Sequence, residues 1–306
     1  MKLNSFKKFL DRKNRTDYSR LLKKLKTSKS ILFSSPELLV GILLTLFIIL
    51  SAIFAPIITN VDPLKTDYTQ ILKPPLTPGY LLGTDQFGRD VFTRILYGAR
   101  ISLLIAWCSV FGAAILGSII GPIAGYYGGF LDNLLMRIIE AIMTFPFIIV
   151  ALLLSTVFIP GIKTLIPVFS FIGMPLFAKI TRGIVLSIRE HEYVLAAKAL
   201  GNSNMRVIFK HIYPNIVHQV LVLATLQISR IIFVEAALSF IGVGVQAPYP
   251  SWGNMLADGR NYMILSWWLP ILPGLALLIT VLGANLLNDG LQEILDPKRR
   301  KIIAKQ

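Results

Sequence analysis

Charged side chains inside apolar stretches are the first residues of this sequence that could do chemistry. Arg230 and Glu235 stand five residues apart in one long apolar run. An ionisable residue at membrane depth is a functional candidate by default. A spacing of five does not set two side chains squarely on one helical face, as three or four would. An ion relay would need a further buried acid or histidine, and none completes one. The pair is read as subunit or pathway contacts, or as groups near a helix end. Glu140 lies near the end of its own run, where interfacial access accounts for it.

The other reactive types form no set. His191, His211 and His218 are twenty and seven residues apart, whereas zinc ligation on one helix needs a convergent spacing such as four. Capping or partner contacts suit them better. Cys108 is the single cysteine, so no intrachain disulfide and no cysteine metal cluster can form. The seven methionines are scattered and make no soft-metal path. A membrane enzyme would need a His-Glu-x-x-His or an intramembrane acid pair, and the sequence has neither. It also lacks a G-x-x-x-x-G-K-[ST] loop, the usual cradle for nucleotide phosphates.

The elements that must position these residues can be read from composition. Of 306 residues, 54% are hydrophobic and 15% charged, and the mean hydropathy is +0.66. Soluble domains carry about 25% charge, and disordered chains are poor in apolar residues. A polytopic membrane protein remains. The net charge of +15 would suggest nucleic acid on a soluble chain. On a membrane chain it points to Lys- and Arg-rich loops on one side, so nucleic acid is excluded as a partner and the lipid bilayer takes its place.

Six runs are long enough to span: about 38–59, 101–125, 136–158, 162–180, 216–245 and 267–287. Pro167 and Pro175 interrupt the fourth. Trp267 and Trp268 open the sixth as interfacial anchors. Six spans put both termini on one side. That side then carries 23 Lys and Arg against seven on the other, so the positive-inside rule places both termini in the cytoplasm. Residues 1–30 hold eleven Lys and Arg against two acids and do not form a cleavable signal. Their apolar spacing fits surface amphipathic helices or a solvated tail equally.

The external segment 60–99 begins with turn-forming residues. Its second half has helical apolar spacing at Phe87, Val91, Ile95 and Leu96, with Asp85 or Thr84 as caps. That pattern predicts an amphipathic helix along the outer surface. In the second span, Gly112, Gly117, Gly121 and Gly125 recur about every four residues. Small residues so spaced allow close helix packing, within the subunit or across a subunit interface. The turn-rich loop 246–266 could contact an external partner or plug the outer mouth.

After the fourth run, residues 179–215 are too polar to span. The sequence predicts a helix, a break at Gly201-Asn202-Ser203-Asn204, a second helix and a stop at Pro214. Gly201 suits a helix C-terminal cap, and Asn202 or Ser203 can cap the second helix. The Ala196-Ala197 pair admits a close partner backbone. A helix-turn-helix elbow of this kind can dock into a groove on a soluble partner. On shape alone, an ordinary linker fits as well.

The residues of the elbow decide between these. AAKALG, nine residues, then HIYPN resembles the coupling signature of ABC importer permeases: Glu-Ala-Ala, three residues, Gly, nine residues, Ile-x-Leu-Pro. Ala196, Ala197, Gly201 and Pro214 match in register. Leu195, His211 and Tyr213 depart from the general motif. They fit the peptide and nickel permease branch, where EYV-x-AA-x-ALG and HI-x-PN are usual. LLGTDQFGRDVFTRILYGARISL (81–103), EAALSFIGVGVQAPYPSWGNMLADGR (235–260) and NLLNDGLQEILDPKRR (285–300) are similar to three further segments of the C-type subunit of that branch. The resemblance covers about 35–300, leaving only the basic tail outside.

The resemblance implies an all-α, six-span type I ABC importer permease fold with a cytoplasmic coupling helix, in a bacterial cytoplasmic membrane. It implies a basic cytoplasmic tail over 1–34, a first helix with external loop and amphipathic segment over 35–100, a permease core of five helices over 101–290, and a cytoplasmic tail over 291–306. The implied partners are a homologous second permease subunit, two cytoplasmic ATPase subunits and an extracytoplasmic substrate-binding protein. This chain is then not itself catalytic and binds no cofactor, ATP and Mg belonging to the ATPases. The residues expected to couple to them are Glu192, Tyr193, Ala196, Ala197, Leu200, Gly201, His211, Pro214 and Asn215. The expected substrates are di- or oligopeptides, with nickel or another metal as a chelate as the alternative. A proton-coupled carrier acting alone would show buried titratable pairs and a repeated half, and neither is visible.

Overall fold

The computed structural model describes residues 36–295. The tail 1–34, the amphipathic helices expected in it, and residues 296–306 lie outside the described residues. Among the described residues the secondary structure is helical, with two isolated bridges and no strand.

Five helical segments are long and apolar enough to cross a membrane. They are α1 (Pro36–Ile53), α3 (Val91–Tyr127), α6 (Ile162–Ile188), the segment Asn204–Ile241 that ends in α9 (Tyr213–Ile241), and α11 (Trp268–Leu295). A short α2 (Ala55–Ile58) follows α1. The expected third span is broken. Its two parts, α4 (Gly129–Thr144) and α5 (Phe147–Val157), meet at 88°. Counted as one broken span, the pair gives six. Pro146 causes the break: it lacks an N–H, and it forces Phe145 into an extended conformation with φ −91° and ψ 140°.

The fourth span corrects an expectation in the other direction. Pro167 and Pro175 do not interrupt it, and α6 runs unbroken over 27 residues. It is the most buried of the spans, and packing against α3 holds the helix across both prolines. The glycine stripe belongs to this contact. A Cβ at Gly117 would meet the Met174 carbonyl oxygen at 2.7 Å, and one at Gly125 would meet the Arg182 carbonyl oxygen at 3.0 Å. The close packing is therefore within the subunit.

The expected surface helix of the external segment is instead the start of α3, a 37-residue helix about 55 Å long. Its cap is Asp90, not Asp85 or Thr84. The Asp90 carboxylate accepts from the Thr93 N–H at 2.9 Å. α1 and α11 close the bundle side by side, where Gly41 leaves no room for a Cβ against the Leu287 backbone. The main core joins Ile105, Phe169, Phe177, Ile232, Leu238 and Trp252. Many large apolar side chains on the bundle's periphery, such as Phe47, Phe111 and Leu153, remain exposed, as lipid-facing residues do.

Candidate functional site

The elbow lies between α6 and α9. It consists of α7 (Glu192–Ala199), a turn, α8 (Asn204–Val207), a π-helical turn (Ile208–Ile212) and the start of α9. Gly201 ends the first helix with φ +79°, a left-handed conformation that a side chain would strain. The chain restarts at Ser203, whose hydroxyl accepts from the Arg206 N–H at 3.4 Å. The Asn202 amide donates to the Ala197 carbonyl at 2.9 Å and locks the turn.

The elbow has a small core of its own. Val194, Ala197, Val207, Ile208, Ile212 and Ile216 are buried together with Tyr126 and Val185 of the bundle. Spacing alone does not single out Val194, Val207 or Ile212; their apolar character on alternate turns is the available signal. Tyr126, the penultimate residue of α3, ties the bundle to both halves of the elbow. Its hydroxyl hydrogen-bonds Asn204 Oδ1 at 2.9 Å, and the Lys198 ammonium sits 4.5 Å from its ring centroid. Nearby, Arg182 of α6 makes a two-point pair with Asp132 of α4, at 2.6 and 2.7 Å. The Arg189 guanidinium donates to the Gly125 carbonyl at 3.0 Å.

The nine residues expected to couple divide into two groups. Ala197 is buried in the elbow's core, whereas Glu192, Tyr193, Ala196, Leu200, Gly201, Pro214 and Asn215 are exposed and His211 is half-buried. Tyr193, His211 and Asn215 come together. The Asn215 amide donates to the His211 carbonyl at 2.8 Å and reaches the Tyr193 hydroxyl at 3.4 Å. Leu200 is 83% exposed at the elbow's tip. Leu195, Met205 and Phe209 add exposed apolar side chains that lie outside the expected set. This apolar surface is carried by a segment too polar to face lipid.

Glu235 and Arg230 are not paired with each other. Glu235 is fully buried inside this subunit, where its carboxylate accepts from Ser102 at 2.9 Å and Ser239 at 2.7 Å. Arg230 is exposed, with its guanidinium 4.9 Å from the Phe147 ring centroid. Among the described residues, no group of His, Cys, Asp and Glu is arranged to hold a metal ion.

The end opposite the elbow is a knot of charge. Asp85 accepts from the Arg89 Nε at 2.6 Å, and the Arg94 Nε lies 3.4 Å away. The same carboxylate accepts from the backbone N–H groups of Phe87 and Arg89, each at 2.9 Å. Arg94 also donates to the Pro63 carbonyl at 3.2 Å, and Arg89 reaches Asp258 of α10 (Trp252–Arg260) at 4.0 Å. Burial pushes the Asp258 carboxyl above the usual range, against the opposing pull of Gln86, Arg94 and Arg89. Of the two expected interfacial anchors, Trp267 is exposed. Trp268 is buried and donates its indole N–H to the Thr84 carbonyl at 3.2 Å.

A bundle of helices long and apolar enough to span a membrane, with one bent helix pair and a polar elbow at one end, defines a polytopic membrane protein. The chain belongs to the family of binding-protein-dependent transport system inner membrane components, whose model matches residues 113–301. A second model, the N-terminal membrane domain of oligopeptide transport permease C, matches residues 31–75. The chain is similar to a dipeptide transport system permease protein of Alkalihalophilus pseudofirmus, 41% identical over 86% of each chain. An oligopeptide transport system permease protein of Bacillus subtilis is 40% identical, also over 86% of each. A putative peptide transport system permease protein of Brucella suis is 42% identical over 85% of this chain and 87% of its own. This chain is a multi-pass ABC transport permease of the bacterial inner membrane.

Proposed function

We propose that this permease imports short peptides as one of two homologous membrane subunits, driven by a pair of ATPases to which it couples through its elbow. The observation that carries this reading is the elbow's double construction. One set of apolar residues is buried and holds it to the bundle. A second set, Leu195, Leu200, Met205 and Phe209, is left exposed at its tip. Such a face suits the groove of a soluble partner. ATP and Mg would be held on the partner subunits, and closure of the ATPases would move the elbow and with it α3, α6 and α9. The excess of Lys and Arg on the elbow's side of the sequence supports a cytoplasmic location for that end and for both termini. An extracytoplasmic binding protein would then deliver substrate at the knotted end. The relatives' names, dipeptide and oligopeptide permeases, support peptides as the substrate class.

The test is ATPase stimulation in the reconstituted complex, with the binding protein offered peptides of graded length or a nickel chelate. Stimulation by peptides and not by the chelate supports the reading. Stimulation by the chelate alone moves the chain to metal-chelate uptake. Uptake without ATP, driven by a proton gradient, overturns the ATP-driven mechanism altogether.

A further inference from the structure

A cavity of about 280 Å³ opens beside the break between α4 and α5, against α6 and α9. Its walls are mainly apolar and include Phe145, Pro146, Phe147 and Ile172. Two polar side chains of α9, Gln227 and Arg230, also line it. They are three residues apart and so share one helical face. At 1.5 Å per residue, Arg230 sits roughly 16 Å along the axis from the C-terminal end of α9, far from either end of that helix.

Three features of this cavity call for an anion. Arg230 is the one charged residue of its lining, and among the described residues it has no carboxylate partner. Gln227 is 6% exposed, and among the described residues its amide makes no hydrogen bond. Its amide opens onto the cavity and is free to bond a ligand there. The N-terminus of α5 opens at the same break, and no side chain caps it. The N–H groups of Phe147 and Ile148 and the positive end of the helix dipole are left for a ligand, while the Ile149 N–H is taken by the Pro146 carbonyl. Guanidinium, amide and helix N-terminus are all hydrogen-bond donors. A planar carboxylate matches the guanidinium fork. A phosphate dianion would bring a second charge that no second cation in the lining meets. The apolar walls leave room for the body that carries the carboxylate.

We propose that Gln227, Arg230 and the N-terminus of α5 form a transit site for the carboxylate of the transported solute. The site rests on the reading of this chain as an importer permease. The C-terminal carboxylate of a peptide and the carboxylate of a metal chelate offer the same chemistry. One exposed cation holds either weakly enough for onward release.

The experiment uses the full complex in proteoliposomes with its binding protein. Two matched peptides are offered, one with a free C-terminus and one C-terminally amidated, both first shown to be captured by the binding protein. Uptake is compared for the unmodified complex, Arg230→Gln, Arg230→Lys and Gln227→Leu. The site predicts that Arg230→Gln lowers free-acid uptake about tenfold relative to amide uptake. Gln227→Leu should do so severalfold, and Arg230→Lys should restore most of the difference. Equal losses on both peptides, or no loss on either, overturn the site. Poor recovery of the Arg230→Gln complex also overturns it, because Arg230 then pairs with an acid on another subunit. If the unmodified complex imports neither peptide, the peptide reading fails. The same ratio is then measured with a carboxylate chelate against a hydroxamate chelate of one metal, and a selective loss of the carboxylate chelate still supports the site.

Discussion

The two ends of the bundle solve opposite problems with similar materials. At the knotted end, Asp85, Arg89 and Arg94 are nearly all buried and satisfy one another, and Trp268 and Pro63 fasten the loops above them. At the elbow end, the polar contacts to the bundle lie on one side: Tyr126 to Asn204, with Arg189 to Gly125 and Arg182 to Asp132 beneath it. The outer side of the elbow keeps apolar residues exposed. Self-satisfied charge makes a rigid cap. The elbow, held on one side, leaves an exposed apolar face on the other. The difference shows that two segments resembling one family can be built in opposite ways, one burying its charges against one another and one leaving apolar side chains exposed.

The largest effect should come from breaking the knot. Arg94 is 2% exposed, and Asp85→Ala leaves it and Arg89 as buried cations without their main counter-charge. Removing one partner of a buried pair costs about 3–5 kcal/mol. Thermal unfolding of the detergent-solubilised complex should show a large drop and poor recovery of the chain. A variant that melts as the parent does would show that the knot is not the stabilising end.

Next in size is the elbow's core. Ile212→Ala removes a fully buried side chain and should cost about 2–5 kcal/mol of local stability. Hydrogen exchange of residues 192–216 should rise while the rest of the bundle keeps its protection. Gly201→Val acts through the backbone instead. The site has open space, so only the left-handed conformation opposes the side chain, at about 1–3 kcal/mol. The complex should still assemble, with peptide transported per ATP hydrolysed falling severalfold. Unchanged uptake would remove the elbow from the drive.

Leu200→Ser should leave the chain's own melting unaltered, since the side chain touches little of this subunit. ATPase capture should weaken by about 1–2 kcal/mol, the scale of one exposed leucine buried on docking. Pull-down of ATPase subunits at graded salt and detergent would read it. The smallest effect concerns Asp258. Its carboxyl is held above the usual range by burial, so the folded chain binds its proton more tightly than the unfolded one. That contribution is present below the ordinary carboxylate range and is lost as pH rises through the raised value. Asp258→Asn should remove this slope from the melting profile on the alkaline side of the ordinary carboxylate range.

The elbow is legible in sequence because its rules are local. A glycine with positive φ, a serine cap and apolar residues on one face can each be read from neighbours in the chain. The break in the third span has a sign in sequence, Pro146, but a proline alone does not tell a broken span from one that stays helical, as Pro167 and Pro175 show in the fourth. The fourth span looks weak in sequence for the converse reason: two prolines that would weaken an isolated helix are held by contacts with α3 that spacing does not reveal. Asp85 and Thr84 look like caps since they precede an apolar helical pattern. The structure instead uses Asp85 for two arginines and leaves the cap to Asp90.

By itself the sequence determined the solvent, the number of apolar runs, the side with the positive loops and the helix-turn-helix elbow. Each depends on composition or on contacts within a few residues. Only the tertiary structure decided that the glycine stripe serves α6, that Glu235 turns inward to two serines while Arg230 faces a cavity, and that the knot joins loops far apart in the chain. Arg230 and Glu235 look alike in sequence, two charges in one apolar helix. Their difference comes from what packs against each face of α9, and that is set by helices distant in sequence.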